Sequence, residues 1–249
     1  MSFEKSKILA PHVLVRPRLG VIGGMGPLAT ADFLTKLATL SCAPRDEDHL
    51  AVVAASIPQI PDRTSAFLAD GASPLPALVE VVRLLEAAGA ARLAIPCNTA
   101  HLWHNQLVSE TTLPILHIVD SVAALLQARG LFAPQTVALL ATDATVTAGI
   151  YQSMLGRLGY HVRVPAKADQ QLVMASIRAV KAGDVPAATR ALKPLATRLI
   201  KTGCANVLLG CTELPLALAG FATDRMIDTS EALAIACLNA FGIPTATLR

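Results

Sequence analysis

Few charged and few aromatic residues occur in this sequence, and these shortages exclude several classes of protein. Charged residues make up 16% of the 249-residue chain and aromatic residues 4%, with one tryptophan and a formal net charge of +3. Binding of nucleic acid needs concentrated Lys and Arg or a set of stacking aromatics, so we expect no nucleic-acid partner. With 53% hydrophobic residues, the chain is instead long and apolar enough to fold around a core of one large or two small domains.

Long hydrophobic runs are missing as well, although the mean hydropathy is +0.52. The uncharged stretch from Leu93 to Ser109 is interrupted by Pro96, Asn98 and His101, which is not the pattern of a membrane span. Residues 1–17 carry charges and have neither a continuous apolar segment nor a small-residue cleavage site. We therefore predict no membrane association and a cytoplasmic protein, with residues 1–17 as an N-terminal extension.

No two cysteines form a closely spaced C-x-x-C pair. The chain has five in all, at positions Cys42, Cys97, Cys204, Cys211 and Cys237. An odd number without such pairs favours reduced thiols over a disulfide framework, and metal-ligand spacing is absent too. The sequence predicts neither disulfides nor a metal site.

Short β-branched runs alternate with helical patterns from about Leu19 onward, which predicts an α/β fold with helices on both faces of parallel sheets. The apolar runs show little polar alternation, as is typical of strands covered on both sides. The predicted strands are Leu19–Ile22, Ala51–Ile57, Leu93–Pro96, Ile115–Ile118, Val137–Leu140, His161–Val164, Val207–Leu209 and Met226–Ile227.

An internal repeat divides this alternation into two similar halves. Gly89 precedes Cys97 by eight residues in LLEAAGAARLAIPCNTA, and Gly203 precedes Cys211 by eight in RLIKTGCANVLLGCTEL. In open α/β sheets, ligands bind at the carboxyl ends of strands, and both cysteines follow strands. The repeat therefore predicts a cleft between two related halves, with one cysteine from each.

The two cysteines have two readings. A cysteine after a strand is usually a small buried hydrophobe, and we leave Cys42, Cys204 and Cys237 in that class. Cys97 and Cys211 have short polar neighbours, and a following helix N-terminus lowers the pKa of a thiol. Two thiols facing each other across a ligand suit removal of a proton from one side of a carbon and delivery to the other, which inverts a stereocentre. Disulfide chemistry is the competing use.

A glycine-rich turn, GVIGGMG, lies between the first strand and a helix that starts near Pro27. A dinucleotide fingerprint needs G-x-G-x-x-G and a carboxylate ending the second strand, and both are missing. The turn either brings backbone close to a small ligand or packs strand against helix. No nucleotide cofactor is predicted.

Three further side chains have open interpretations. Arg63 follows two prolines that stiffen its loop, and it could grip a carboxylate or pair at the surface with Asp62 or Asp70. His101 and His104 follow Cys97 by about one turn, and helix histidines are more often packed than catalytic. We assign neither histidine a catalytic role.

With these residues assembled, the chain resembles the aspartate/glutamate racemase family, specifically its cofactor-independent aspartate racemases. The supporting stretches are GGMGPLAT (23–30), PQIPDRT (58–64), PCNTAH (96–101), ALLAT (138–142), VKAG (180–183) and GCTEL (210–214). The resemblance implies two similar Rossmann-like or flavodoxin-like parallel-sheet domains related by pseudo-twofold symmetry, with the active site in the cleft between them. It also implies a homodimer, a small amino-acid substrate and no cofactor.

Carried over by position, the resemblance implies that Cys97 and Cys211 are the two catalytic acid/bases. It further implies substrate-binding residues, namely Arg63, Asn98, Thr99, Ala100, Lys181 and Thr212. Lys181 enters on this basis alone, because a lysine at the end of a helix has an ordinary structural role. We place the domains at 1–117 plus 229–249 and at 118–228.

The expected activity is interconversion of L- and D-aspartate without pyridoxal phosphate, and PDRT favours an acidic amino acid as the substrate. A racemase or isomerase of another small acid, such as glutamate, a hydantoin or maleate, is an alternative within the family. A two-lobed protein that binds its ligand without turnover is an alternative outside it.

Overall fold

The structure, a computed structural model, describes residues 16–221 and 224–245. In this part of the chain, eight strands form two parallel sheets of four. The first sheet, in the order β2-β1-β3-β4, contains β1 (Arg18–Gly23), β2 (Val52–Ser56), β3 (Ala90–Ala94) and β4 (Ile115–Leu116). The second, in the order β6-β5-β7-β8, contains β5 (Thr136–Ala141), β6 (His161–Arg163), β7 (Asn206–Gly210) and β8 (Met226–Asp228). The same strand order in both sheets confirms the predicted duplication and α/β class.

Helices connect the strands, as parallel pairing requires. In the first half they are α1 (Pro27–Leu40), α2 (Arg63–Leu68), α3 (Leu75–Ala87) and α4 (His104–Val108). Next come α5 (Ile118–Ala128), α6 (Asp143–Ala148), α7 (Ile150–Arg157), α8 (Lys167–Lys181), α9 (Val185–Lys201), α10 (Leu214–Ala217) and α11 (Thr229–Ala240).

The apolar core has three layers. α3 packs its buried stripe on one face of the first sheet, and α8 and α9 cover one face of the second. Between the two sheets, α5 and α11 pack together in a shared core that also holds side chains of β1, β5 and β7. α5 follows β4 and α11 follows β8, so equivalent helices of the repeat form this middle layer. The division at 117/118 and 228/229 stays a prediction.

Most strand ends differ from the sequence prediction by one to three residues, and two of these differences have identifiable reasons. β3 begins at Ala90, three residues earlier than expected, because parallel pairing with Arg18 and Leu19 extends it over residues that are not β-branched. β4 ends at Leu116, since the side chain of His117 accepts a hydrogen bond from the N–H of Val119 and caps α5. Of the predicted N-terminal extension, residues 1–15 lie outside the described residues.

The carboxyl ends of the strands meet at the centre of the molecule. The loop after β3 contacts the loop after β5, where the Thr99 and Thr142 hydroxyls lie 2.8 Å apart. The repeat-related loops after β7 and β1 also meet, because a Cβ placed on Gly26 would lie 3.5 Å from Glu213 Oε1. This paired arrangement agrees with the predicted pseudo-twofold relation. Among the described residues, the structure has no helix long and apolar enough to cross a membrane.

Candidate active site

Two adjoining cavities lie where these loops meet. The inner cavity, about 20 Å³ in volume, is lined by both Cys97 and Cys211. The outer cavity, about 340 Å³, is lined by the glycine-rich turn, the loop before α2 and the end of α8. Both cavities share four charged residues in their walls, which are Asp62, Arg63, Lys181 and Glu213. The site therefore combines a small inner cavity with a larger outer one.

The inner cavity brings together seven of the eight site residues proposed from the sequence. They are Arg63, Cys97, Asn98, Thr99, Lys181, Cys211 and Thr212. Ala100 is different, because its side chain is fully buried in the core beside α3 and does not line either cavity. Residue 100 can reach a ligand only through its backbone.

Side-chain hydrogen bonds fix the loop after Cys97 to the loop after β5 and to the first residues of α7 and α11. Thr99 Oγ1 lies within hydrogen-bonding distance of the hydroxyls of Thr142 and Thr145. Asn98 donates from Nδ2 to Thr229 Oγ1 at 3.0 Å and accepts a hydrogen bond from the Tyr151 hydroxyl. The amide of Asn98 is thus held by partners inside the protein, and the main-chain N–H groups of this loop are further candidate donors to a ligand.

Cys211 has a carboxylate as its closest polar partner. Its thiol donates a hydrogen bond to Glu213 Oε2 at 2.9 Å, and both side chains are buried. Burial raises the pKa of the Cys211 thiol well above its usual range, and the charge of Glu213 raises it further, while Lys181 acts in the opposite direction. Both effects favour the thiol form of Cys211 over the thiolate.

This finding corrects the expectation that a helix N-terminus lowers the thiol pKa at this position. The helix that follows, α10, has only four residues, and Glu213 lies between it and Cys211. A helix this short aligns few peptide dipoles, so its effect is outweighed by desolvation and by the carboxylate. After Cys97 the chain forms a 3₁₀ turn over Thr99–Trp103 rather than a regular helix.

Arg63 is buried at the boundary between the two cavities, with only 8% of its surface exposed. One terminal nitrogen donates to the carbonyls of Ile60 and Pro61, and the other donates to the carbonyl of Met25. Its Nε is buried and has no hydrogen-bond partner among the described residues. The alternative of an exposed arginine paired with a nearby aspartate is therefore wrong, and the Nε edge is left for a ligand.

Lys181, the last residue of α8, brings a second positive charge to both cavities. The structure confirms close packing for the glycine-rich turn, whereas its approach to a ligand stays a prediction. At Gly24, where φ is +91°, a Cβ would lie 2.3 Å from the Ile57 nitrogen, so strand and loop pack closely there. Gly24 and Gly26 also line the outer cavity.

His101 ties the Cys97 loop to the start of α5. Its Nδ1 lies 2.9 Å from the Cys97 carbonyl and donates to it, since its Nε2 accepts from the N–H of Ile118 at 3.1 Å. Burial lowers the pKa of His101 to about 3, with a further contribution from His117. Burial likewise lowers the pKa of His117 to about 4, aided by His104. His101 is thus a buried packing group, as the sequence predicted.

The low histidine pKa values predict a loss of stability in acid. The unfolded chain binds protons at these positions below about pH 6.5, whereas the folded chain does not. The free energy of unfolding should therefore decrease as the pH is lowered from about 6.5 to about 4, by up to about 1.4 kcal/mol per pH unit and per histidine. Urea unfolding at several pH values measures this slope. The slope should be smaller in His101→Gln and unchanged in His161→Gln, which alters an exposed histidine. Equal slopes in H101Q and the wild type would contradict the assignment.

Sequence reasoning assigned no role to several residues that line the inner cavity. Glu213 is the most important, because it touches Cys211, and Thr142 holds the opposite loop. Both lie inside stretches that carry the family resemblance, GCTEL and ALLAT. Position within those motifs was the available signal, but only the folded arrangement shows which partner each side chain meets.

Comparison with known proteins agrees with this arrangement. The family model described as Asp/Glu/Hydantoin racemase matches residues 22–237, which is most of the chain and includes both cysteines of the inner cavity. Among curated proteins, the broad specificity amino-acid racemase RacX of Bacillus subtilis is 27% identical over 223 residues, covering 87% of this chain and 94% of that protein.

Solved structures of related proteins have the same fold. The aspartate racemase of Picrophilus torridus superposes with a TM-score of 0.83 at 33% identity, covering 92% of this chain and 96% of that one. An aspartate racemase homologue from Pyrococcus horikoshii superposes with a TM-score of 0.71 at 26% identity, covering 90% and 99%. From the matched residues, the duplicated sheets and these relatives, we conclude that the chain belongs to the Asp/Glu/hydantoin racemase family of isomerases.

Proposed function

We propose that this protein interconverts L- and D-aspartate without pyridoxal phosphate, using Cys97 and Cys211 as two opposed acid/bases. The observation that carries the proposal is that the two thiols, which follow equivalent strands of the duplicated fold, line the same buried inner cavity. An α-carbon bound between them has one thiol on each side. Removal of its proton by one sulfur and protonation by the other inverts the stereocentre.

Substrate carboxylates are held by the two cations of the cavity wall. Arg63 offers Nε and the remaining hydrogen of a terminal nitrogen, because its other donors are fixed on carbonyl oxygens. Two donors on one edge of a guanidinium suit a carboxylate. Lys181 lines the same cavity and has no ion-pair partner in the described part of the chain, so it is available for a second carboxylate.

The α-proton of an amino acid carboxylate is very weakly acidic, so the site must stabilise an enediolate-like carbanion. Main-chain N–H groups of residues 98–100, together with Thr212, are the proposed donors to the α-carboxylate. The loop that carries them is fixed by Thr99, which bonds to Thr142 after β5, and by Asn98, which bonds to Thr229 at the start of α11. Such fixed dipoles need little reorganisation as charge develops.

Substrate entry requires the inner cavity to open. Its volume of about 20 Å³ has room for about one water molecule. An amino acid is larger, so the loops of the two halves separate to admit it and close again around it. Closure excludes water and strengthens each electrostatic contact with the reacting carbon.

Two observations favour an acidic amino acid as the substrate, and a third favours aspartate. Two cations in one small chamber match a dicarboxylate, and PDRT places Arg63 in the sequence context that the resemblance connects with acidic amino acids. The Picrophilus torridus relative is described as an aspartate racemase. The homodimer and the cytoplasmic location stay predictions.

Incubation of the purified protein with L-aspartate, without added cofactor, tests the proposal. Chiral chromatography should show D-aspartate accumulating to an equal mixture of enantiomers, with L-glutamate and neutral amino acids converted more slowly. Faster conversion of glutamate or of neutral amino acids would show that the protein is a racemase with a different preferred substrate. Binding of aspartate without any conversion would favour the non-catalytic alternative.

A further inference from the structure

Each racemisation leaves the two thiols in exchanged protonation states, and this inference rests on that proposed mechanism. After a turnover in one direction, the acid has become a thiolate and the base has become a thiol. Before a second turnover in the same direction, the new thiol must lose its proton and the new thiolate must gain one. The enzyme therefore needs a route for protons between the sulfurs and the solvent.

The structure gives the sulfurs little direct access to water. Cys97 and Cys211 are each only 6% exposed, and the cavity between them has a volume of about 20 Å³. Proton exchange at a buried thiol then depends on a neighbouring group that can carry a proton. Cys211 has such a group within hydrogen-bonding distance.

Glu213 lies between Cys211 and the outer cavity. Its Oε2 accepts the hydrogen bond of the Cys211 thiol at 2.9 Å. Its Oε1 has no partner among the described residues and faces Gly26, a residue of the outer cavity wall, and Glu213 itself lines both cavities. The side chain is 97% buried, so this free carboxylate oxygen is costly unless a ligand or water meets it.

The carboxylate beside Cys211 has no counterpart beside Cys97, although the two cysteines occupy equivalent positions of the repeat. In the first half, the residue two positions after the cysteine is Thr99, whose hydroxyl bonds to Thr142 and Thr145. In the second half, the same position holds Glu213. The charged groups near Cys211 are Glu213 and Lys181 beside it and Arg63 and Asp62 in the adjoining wall. Of these, Glu213 is the one that accepts a hydrogen bond from the thiol.

We propose that Glu213 is a proton relay that reprotonates Cys211 from the outer cavity between turnovers. When Cys211 is a thiolate, the Glu213 carboxylate first takes a proton from hydronium or a buffer acid on the side of the outer cavity, then turns that proton toward Cys211 and gives it to the sulfur, which restores the thiol and the carboxylate. In net terms, the donor's bond to hydrogen breaks and the S–H bond forms. The protonation state of Glu213 is the same before and after. In the opposite direction, the same groups carry the proton of Cys211 outward.

A relay of this kind predicts a specific kinetic result for Glu213→Gln. The return of the free enzyme to its starting form limits turnover at saturating substrate and does not enter kcat/KM. E213Q should therefore lower kcat by at least about 10-fold and change kcat/KM by less than about 3-fold. A small buffer acid should raise the kcat of E213Q with increasing concentration and leave the wild type unchanged. Glu213→Asp, which keeps a carboxylate, should recover part of kcat. Glu80→Gln is the control, because it removes an equal charge from an exposed helix position.

A second readout needs no substrate. Iodoacetamide alkylation of Cys211, followed by peptide mass spectrometry, should be about 10-fold faster at pH 7 in E213Q than in the wild type, because loss of the carboxylate charge favours the thiolate. Unchanged alkylation, an equal fall in kcat and kcat/KM, or no buffer effect would each overturn the relay while leaving the racemase proposal standing. A wild-type protein that racemises no amino acid would overturn both.

Discussion

Replacing either Cys97 or Cys211 with alanine is expected to abolish measurable racemisation of aspartate. A positioned acid or base contributes roughly 10²–10⁴-fold to a proton transfer, and inversion needs both groups in one turnover. Each sulfur is small and buried at a cavity wall, so its removal should change the thermal unfolding midpoint little. Chiral analysis of the aspartate product, with circular dichroism to verify folding, measures both effects.

The chain offers matched controls for these two variants. Cys42 is exposed, and Cys204 is buried in the core of the second half, away from both cavities. C42A and C204A should racemise aspartate at the wild-type rate. A single mutant at Cys97 or Cys211 with full activity would be incompatible with two opposed thiols.

Loss of Arg63 is expected to have the second largest effect. Truncating one partner of a buried, hydrogen-bonded charge pair costs about 2–5 kcal/mol, so Arg63→Ala should lower kcat/KM for aspartate by roughly 30- to 5,000-fold. Arg63→Lys should recover little, because an ammonium cannot present two donors along one edge while also bonding to three carbonyls. Steady-state kinetics on both variants measures these values.

Arg63 also has a structural role, since its terminal nitrogens hold the Ile60–Pro61 segment and Met25. The thermal midpoint of R63A should therefore fall, and activity must be measured well below it. Arg83→Ala, on the exposed face of α3, is the control for loss of a guanidinium elsewhere. A folded R63A with unchanged kcat/KM would exclude Arg63 from carboxylate binding.

The backbone arrangement could be predicted from the sequence because its causes are local. Apolar β-branched runs alternate with helical patterns, and the two glycine-to-cysteine repeats indicate a duplicated unit. Cys97 and Cys211 could be placed at strand ends, and parallel strands bring their carboxyl ends to one edge. These features depend on the chain near each residue, and the structure confirms the fold that they predicted.

Side-chain partners could not be predicted in the same way, because they come from distant parts of the chain. Asn98 bonds to Tyr151 and Thr229, which are 53 and 131 residues away, and so turns inward. Glu213 is near Cys211 in sequence, but its burial depends on the glycine-rich turn from the other half. The expected lowering of the Cys211 pKa was wrong for the same reason, since the pattern did not reveal how short α10 is or where the carboxylate lies.

The most direct test of two opposed thiols is the position of the isotope label during racemisation in D₂O. At early times, D-aspartate formed from L-aspartate should carry deuterium at Cα, because its new proton comes from a thiol that has exchanged with solvent. The remaining L-aspartate should keep its protium, because the sulfur that removes its α-proton is not the sulfur that delivers deuterium to the product. The same pattern should hold when the reaction starts from D-aspartate. Deuterium appearing equally in recovered substrate and in product would mean that one group removes and returns the proton, which would contradict the two-cysteine mechanism.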